Sequence, residues 1–245
     1  RLAEETENKP KPMVEIAGKP ILWHIMKIYS YYGLNDFIIC LGYKGDQIKE
    51  YFSNFLMHNN DFTIKMDENS INYHSNKELN KWKITLVDTG KNTLTGGRLK
   101  RVGKFINKKD FCFTYGDGLS NVNIKKLISF HRSSKKLATI TAVNSPARFG
   151  ILKIKNGIVD NFDEKPKSHS DLINGGFFVL SKKVLNYIKD DSSIWERYPL
   201  ENLVKEKQLA SFVHDGFWHS MDTMRDKRYL EELWNQKKAP WKIWD

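Results

Sequence analysis

An acid held between two glycines at the end of an apolar run is the first feature of this sequence with chemistry in it. Phe111-Cys112-Phe113-Thr114-Tyr115 leads into Gly116-Asp117-Gly118, and such a run of apolar, aromatic and β-branched residues reads as a buried parallel strand that stops at a tight turn. Ligands of open α/β sheets sit in the crevice outside the carboxyl ends of the strands. Asp117 is therefore placed to hold a divalent cation such as Mg²⁺. Gly-Asp-Gly is also ordinary turn chemistry, and at this point an Asp117 that only caps its turn stays open. Lys9-Pro10-Lys11-Pro12 puts each lysine before a proline, which forces extended geometry and pins a positive charge on a stiff strand or loop; the alternative is a solvated linker. Thr95-Gly96-Gly97-Arg98 opens a helix whose glycines let a ligand come close and whose N-terminus and arginine suit an anion or a base edge, although the same residues make a plain loop. Glu164-Lys165-Pro166 is a surface ion pair unless the chain carries it back over the strand ends. Asp222 precedes Thr223 and Asp226, a capping-box pair, so it also suits a helix start.

The elements that must position these residues alternate in the α/β manner. Gly18-Lys19-Pro20 starts a helix with Ile21, Ile25, Ile28 and Tyr32 at helical spacing, stopped by Gly33. A short strand follows from Phe37 to Leu41, then an amphipathic helix carrying Ile48, Tyr51, Phe52 and Phe55. Trp82 to Val87 and Ala138 to Val143 are further apolar strands. Helix and strand at this spacing predict a doubly wound, mostly parallel sheet with antiparallel additions. The additions begin near Phe149, where Asn156-Gly157 between two β-rich runs signals a two-residue hairpin and Asn174-Gly175-Gly176 leads into a strand from Phe177 to Leu180. Residues 57–81 break the rhythm and read as an inserted hairpin, because Phe62, Ile64 and Met66 alternate, as do Ile71 and Tyr73. The expected organisation is one domain over 1–245, with a C-terminal helix and an aromatic tail over 223–245 that docks rather than floats.

Composition narrows the classes. The chain of 245 residues is 40% hydrophobic and 13% aromatic, enough to build a core and far from a disordered composition. Its 40 Lys+Arg against 29 Asp+Glu give a net charge of +11, which suits anionic partners. The lysines are scattered and do not form a track with interleaved aromatics, so small phosphorylated ligands are favoured and nucleic acid is not expected. Cys40 and Cys112 lie in apolar strand-like runs with no metal-ligand spacing, as reduced core thiols do. No apolar run reaches the roughly 20 residues that span a bilayer, so no membrane is expected and the predicted setting is cytoplasmic. Homo-oligomerisation through the 57–81 insert and the aromatic tail is expected, since exposed apolar patches find partners.

Taken in order, Lys9-Pro-Lys11-Pro-Met-Val, Gly18-Lys-Pro-Ile-Leu, Tyr115-Gly-Asp117-Gly, Glu164-Lys165-Pro, Asn174-Gly-Gly-Phe and Trp218 to Asp222 resemble the sugar-1-phosphate nucleotidylyltransferases. The resemblance runs along essentially the whole chain. Within that family it is strongest to the branch that uses CTP and α-D-glucose 1-phosphate, through Thr95-Gly-Gly-Arg-Leu-Lys-Arg, Leu172-Ile-Asn-Gly-Gly-Phe and Tyr229-Leu-Glu-Glu-Leu-Trp. It implies a Rossmann-like nucleotidyltransferase fold, a Mg²⁺ cofactor and release of pyrophosphate. It further implies that Lys11 faces the nucleotide phosphates and that Asp117 and Asp222 hold the metal. Glu164 and Lys165 match residues for the sugar hydroxyls and the sugar phosphate, Asn174 matches a sugar-hydroxyl partner, Tyr115 and Gly175 fall among the substrate-binding residues, and Gly96, Gly97 and Arg98 fall at the base and neighbouring phosphate. Arg1 matches the last arginine of a Gly-rich nucleotide loop. A nucleoside triphosphate and a sugar phosphate bring roughly six negative charges, which the basic balance suits.

Overall fold

The computed structural model describes residues 2–74, 81–144, 151–155, 158–163 and 172–244. Arg1, Glu164, Lys165 and the Asn156-Gly157 turn lie outside the described residues. The strands that this turn would join, Ile151–Lys155 and Ile158–Asp163, do pair antiparallel.

After a single helical turn at Ala3–Thr6, the helix Ile21–Tyr31 begins after Pro20, whose extended backbone serves as its N-cap, and buries Ile21, Ile25, Ile28 and Tyr29. Gly33, at a φ of +82°, turns the chain out of it into the strand Asp36–Leu41. That strand pairs in parallel with Lys83–Asp88, and between the two lie the helix Gly45–Ser53 and the short helix Phe55–Asn59. A four-stranded sheet follows in the order Leu209–His214, Ala138–Asn144, Leu172–Ser181, Asp110–Thr114. Its first pair is parallel and the other two are antiparallel. The ladder of Asp110–Thr114 here is thus antiparallel, where the apolar run alone reads as a parallel strand: the long strand Leu172–Ser181 returns between it and Ala138–Asn144.

Alternation along that returning strand accounts for the two layers. Phe177 and Val179 enter one core with Val14, Ile25, Leu119, Leu127 and Met221, while Phe178 and Leu180 enter another with Leu99, Val102, Val184, Trp195 and Leu203. A strand with apolar residues on both faces must be covered on both. The architecture is the expected mixed α/β one with helices on either side of the sheet.

Two appendages depart from regular winding. Asp61–Lys65 and Ser70–His74 form an antiparallel hairpin that leaves Ile64, Met66, Ile71 and Tyr73 exposed. At the other end, Trp241 is fully buried, stacked against Phe217 and Trp234, and Trp244 meets Trp23 edge to face. The aromatic surface of Trp241 is therefore covered within the chain, while Ile243 and Trp244 stay half-buried. His24 sits in the same aromatic nest, its Nε2 3.0 Å from the Ile16 carbonyl, and burial, seconded by the Lys19 charge, lowers its pKa to about 4. Cys40 and Cys112 are free thiols, pushed up by burial to about 11 and about 12. Among the described residues no helix is long and apolar enough to cross a membrane.

Candidate active site

Asp117 and Asp222 are brought together by a two-stranded ladder. Gly118–Ser120 pairs antiparallel with Trp218–Ser220, Gly118 opposite Ser220, and the Met221 N–H donates to the Asp117 carbonyl at 2.8 Å. The residue before one strand and the residue shortly after the other therefore emerge at the same end. Ser220 Oγ donates to Asp222 Oδ2 at 2.6 Å, and the Asp222 N–H reaches Asp226 Oδ2 at 3.1 Å. Asp226 and Thr223 form the reciprocal capping box of the helix Met224–Asn235, so the helix start that the sequence suggests also fixes the Asp222 backbone.

Lys11 completes the group. Residues 11–13 form a single 3-10 turn with Pro10 extended before it, where the proline pairs alone read as stiff extended chain; a proline is tolerated in a first turn because its missing N–H has no partner there in any case. This turn lies close against Gly116, where a Cβ would stand 2.9 Å from Pro12 Cγ. From it the Lys11 ammonium donates to Asp117 Oδ2 at 2.6 Å and to Asp222 Oδ1 at 2.7 Å. Burial pulls the ammonium down, but the hydrogen bonds and charges of the two acids outweigh it and raise its pKa above the ordinary lysine value.

Both carboxylates face one point, which is the observation needed to ask whether they suit a cation. Hard oxygen donors of this kind, one or two carboxylates with the remaining positions left to water and phosphate oxygens, are what Mg²⁺ takes. Among the described residues there is no group of three or more His, Cys, Asp and Glu gathered for a metal, so an ion at this point relies on those two acids and on a ligand. The residues fit the group.

A second cluster lies further along the strand ends. Asn174 Nδ2 donates to the Tyr115 hydroxyl at 3.1 Å, and Asn174 Oδ1 accepts from the Gly176 N–H at 2.8 Å. The register of Leu172–Ser181 slips between Asn174 and Phe178, and Gly176 has a φ of +75°; together they form a bulge that turns Asn174 toward Tyr115. Trp218 Nε1 holds the Gly175 carbonyl at 2.6 Å, tying this cluster to the acid-bearing ladder. Burial, followed by the hydrogen bond and charge of Glu196, keeps the Tyr115 hydroxyl protonated. Glu196 Oε2 also accepts from Thr95 Oγ1 at 2.7 Å. Sequence reasoning missed Glu196, which sits in an irregular stretch with no periodicity or motif to mark it, and it missed Ser220.

Gly96, Gly97 and Arg98 are turned to internal duties. The N–H groups of Gly96 and Gly97 both reach the Ser193 carbonyl, at 2.9 and 3.2 Å, and a Cβ on Gly97 would stand 2.6 Å from Asp191 Cα. Arg98 Nη1 donates to the Leu41 carbonyl at 2.8 Å and to Thr89 Oγ1 at 2.7 Å, and Nη2 to the Lys91 carbonyl at 3.3 Å. The close approach that the paired glycines allow is to the chain's own backbone. A cavity of about 420 Å³ lies beside the acids rather than at them; its walls include Lys9, Met13, Glu15, Tyr51 and His58 but none of Lys11, Asp117 and Asp222. Lys11, Asp117 and Asp222 form a charge cluster separate from the Lys9–Glu15 ion pair in the cavity wall.

The profile of the nucleotidyl transferase family matches residues 1–223. The chain is similar to the glucose-1-phosphate cytidylyltransferase of Salmonella typhimurium (strain LT2), 54% identical over 246 residues that cover 100% of this chain and 95% of that protein. It is also similar to the probable glucose-1-phosphate cytidylyltransferase of Bacillus subtilis (strain 168), 44% identical over 245 residues covering 100% of this chain and 95% of that one. Among solved structures, HddC from Yersinia pseudotuberculosis superimposes with a TM-score of 0.65 at 26% identity, covering 92% of this chain and 90% of that chain.

Proposed function

The chain belongs to the nucleotidyl transferase family, and from that premise we propose that it is an enzyme converting CTP and α-D-glucose 1-phosphate to CDP-glucose and pyrophosphate. The observation that carries the reading is the meeting of Lys11, Asp117 and Asp222 at one rim of the sheet, joined to identity with cytidylyltransferases over the full length of the chain.

The reaction is an in-line displacement. A phosphate oxygen of glucose 1-phosphate forms a bond to the α-phosphorus of CTP, the bond from that phosphorus to the bridging oxygen breaks, and the β- and γ-phosphates leave together as pyrophosphate. The sugar phosphate is its own nucleophile, so no protein nucleophile is required. Two anions must meet, and positioning with neutralisation of charge supplies the rate. The Lys11 ammonium neutralises the nucleotide phosphates. Asp117 and Asp222 would hold Mg²⁺, which when bound supplies further neutralisation of phosphate charge. Asn174, Gly175 and Tyr115 orient the sugar, and Glu196 fixes the Tyr115 hydroxyl from behind. Glu164 and Lys165 are assigned to the sugar hydroxyls and its phosphate, and Arg1 to the triphosphate. The occupied N–H groups of Gly96 and Gly97 argue that this stretch acts on the base through the shape of its turn rather than through free donors, and Arg98 that it acts by holding that turn.

The exposed apolar hairpin Asp61–Lys65 with Ser70–His74 supports assembly into a homo-oligomer, and the two free thiols suit the reducing cytoplasm. Competition among CTP, UTP, dTTP and GTP with glucose 1-phosphate and Mg²⁺, scored by pyrophosphate release, tests the assignment. CTP should be preferred by at least tenfold in kcat/KM; equal or greater use of UTP or dTTP moves the protein to another branch of the family, and no turnover with any nucleotide ends the enzymatic reading.

A further inference from the structure

Lys11 stands where an ion held by Asp117 and Asp222 would stand. Its ammonium is 2.6 Å from one carboxylate and 2.7 Å from the other, and an ion bound to the same two oxygens, at about 2.1 Å for Mg²⁺, cannot share that point with it. Overlap and like charge both forbid it. We propose that Lys11 is an exchangeable cation, which holds the two acids together while the site is empty and moves from the carboxylates to the nucleotide phosphates when a divalent ion and nucleotide arrive. The proposal rests on the assignment of the acids as ion ligands and concerns the order in which charges enter the site.

The parts around Lys11 suit such a move. Its backbone is fixed by the 3-10 turn, with the Met13 N–H on the Pro10 carbonyl at 2.7 Å and the Val14 N–H on the Lys11 carbonyl at 3.1 Å, so only the long, unbranched side chain has to swing. That side chain is about a third exposed, at 31%. The backbones of the acids, by contrast, are held independently of it. The Asp117 carbonyl is tied to Met221, and Asp222 is tied through its carboxylate to Ser220 and through its N–H to Asp226. When the ammonium departs, the backbones that carry the two carboxylates keep their places. Without any cation they would face each other as unshielded like charges, which the lysine prevents.

The consequence is coupling. Without nucleotide a divalent ion must displace Lys11 into water; with nucleotide the ammonium has phosphates to receive it, so ion and nucleotide each bind better in the other's presence. Mn²⁺ binding, followed by water-proton relaxation on the full chain, reads this directly, without turnover. In the wild-type protein Mn²⁺ affinity should rise when CTP is added. In Lys11→Met the affinity without nucleotide should be about tenfold tighter than in wild type, since a competing unit charge at contact distance is gone, and the gain on adding CTP should shrink. Affinity without nucleotide that is unchanged or weaker in Lys11→Met overturns the exchange. Asp117→Asn separates the two levels: if it leaves Mn²⁺ binding unaltered with and without CTP, the acids are not the ion's ligands and the underlying assignment fails; if it weakens binding, the Lys11→Met result bears on the exchange alone. Circular dichroism of each variant confirms that a folded protein is being compared.

Discussion

Two cations stand at the strand ends of this molecule, and they are used in opposite ways. Arg98 gives its guanidinium to neutral acceptors, the Leu41 and Lys91 carbonyls and the Thr89 hydroxyl, and Gly42 lies so close beneath it that any Cβ there would overlap the side chain. Lys11 gives its ammonium to two carboxylates at a partly open rim. A planar fork with several fixed donors can bracket three loop positions at once, whereas a single ammonium on a flexible stem makes a point contact that another cation can replace. Charge alone does not mark a binding residue; the nature of its partners does. An arginine bonded to backbone carbonyls leaves orphaned acceptors if it moves, while a lysine between acids leaves a vacancy that a metal ion can fill.

The comparison can be broken from either side. The largest effect is expected at Lys11: its replacement by Met should lower turnover by about 10²- to 10³-fold while costing only about 0.5–1 kcal/mol of stability, as partly exposed ion pairs do. Pyrophosphate release and urea unfolding measure the two quantities, and a variant that stays active but unfolds easily would reverse the roles. Arg98→Met should cost roughly 2 kcal/mol of folding stability, because partly buried acceptors lose their donor, and should change turnover per folded molecule less than Lys11→Met does. A stable Arg98→Met protein with a raised KM for CTP would instead put the guanidinium on the nucleotide. The smallest effect is a pH dependence. Burial lowers the Lys11 pKa, but the hydrogen bonds and charges of the two acids outweigh it and hold it above the ordinary lysine value, so its contribution to stability is complete below the unfolded lysine pKa and is lost as pH rises through the higher folded value. The difference in urea midpoint between wild type and Lys11→Met should stay constant up to about pH 10 and shrink beyond it; a difference that grows with alkalinity would contradict the sign.

The same contrast explains how much could be read from the chain. The doubly covered sheet was legible because Phe177 to Leu180 are apolar at successive positions, and a strand with two apolar faces needs two layers. The capping box at Thr223 was legible because its partners are three residues apart. The convergence of Asp117 and Asp222 was not, since 105 positions of sequence separate them and no periodicity reports a ladder between short strands; it entered through the resemblance of whole motifs. Glu196 was invisible for a related reason. Its partners, Thr95 and Tyr115, lie far back in the chain, and a lone glutamate in irregular structure looks like solvent-facing charge. Arg98 was legible as a cation but not as a bracket, because sequence gives the donor and not the acceptors. The tail is aromatic enough to dock, but its target, the nest around His24, required the folded chain.

The short ladder between Gly118–Ser120 and Trp218–Ser220 has a consequence for how the protein comes into being. One acid is delivered near the middle of the chain and the other about a hundred residues later, so a fragment that ends between the two carries Lys11 and Asp117 but lacks the second acid. Ligands that recognise the joined acids stabilise only molecules in which that late hairpin-like closure has taken place. Substrate protection against proteolysis would therefore discriminate finished molecules from truncated ones, and the reactants themselves act as inspectors of the final folding step.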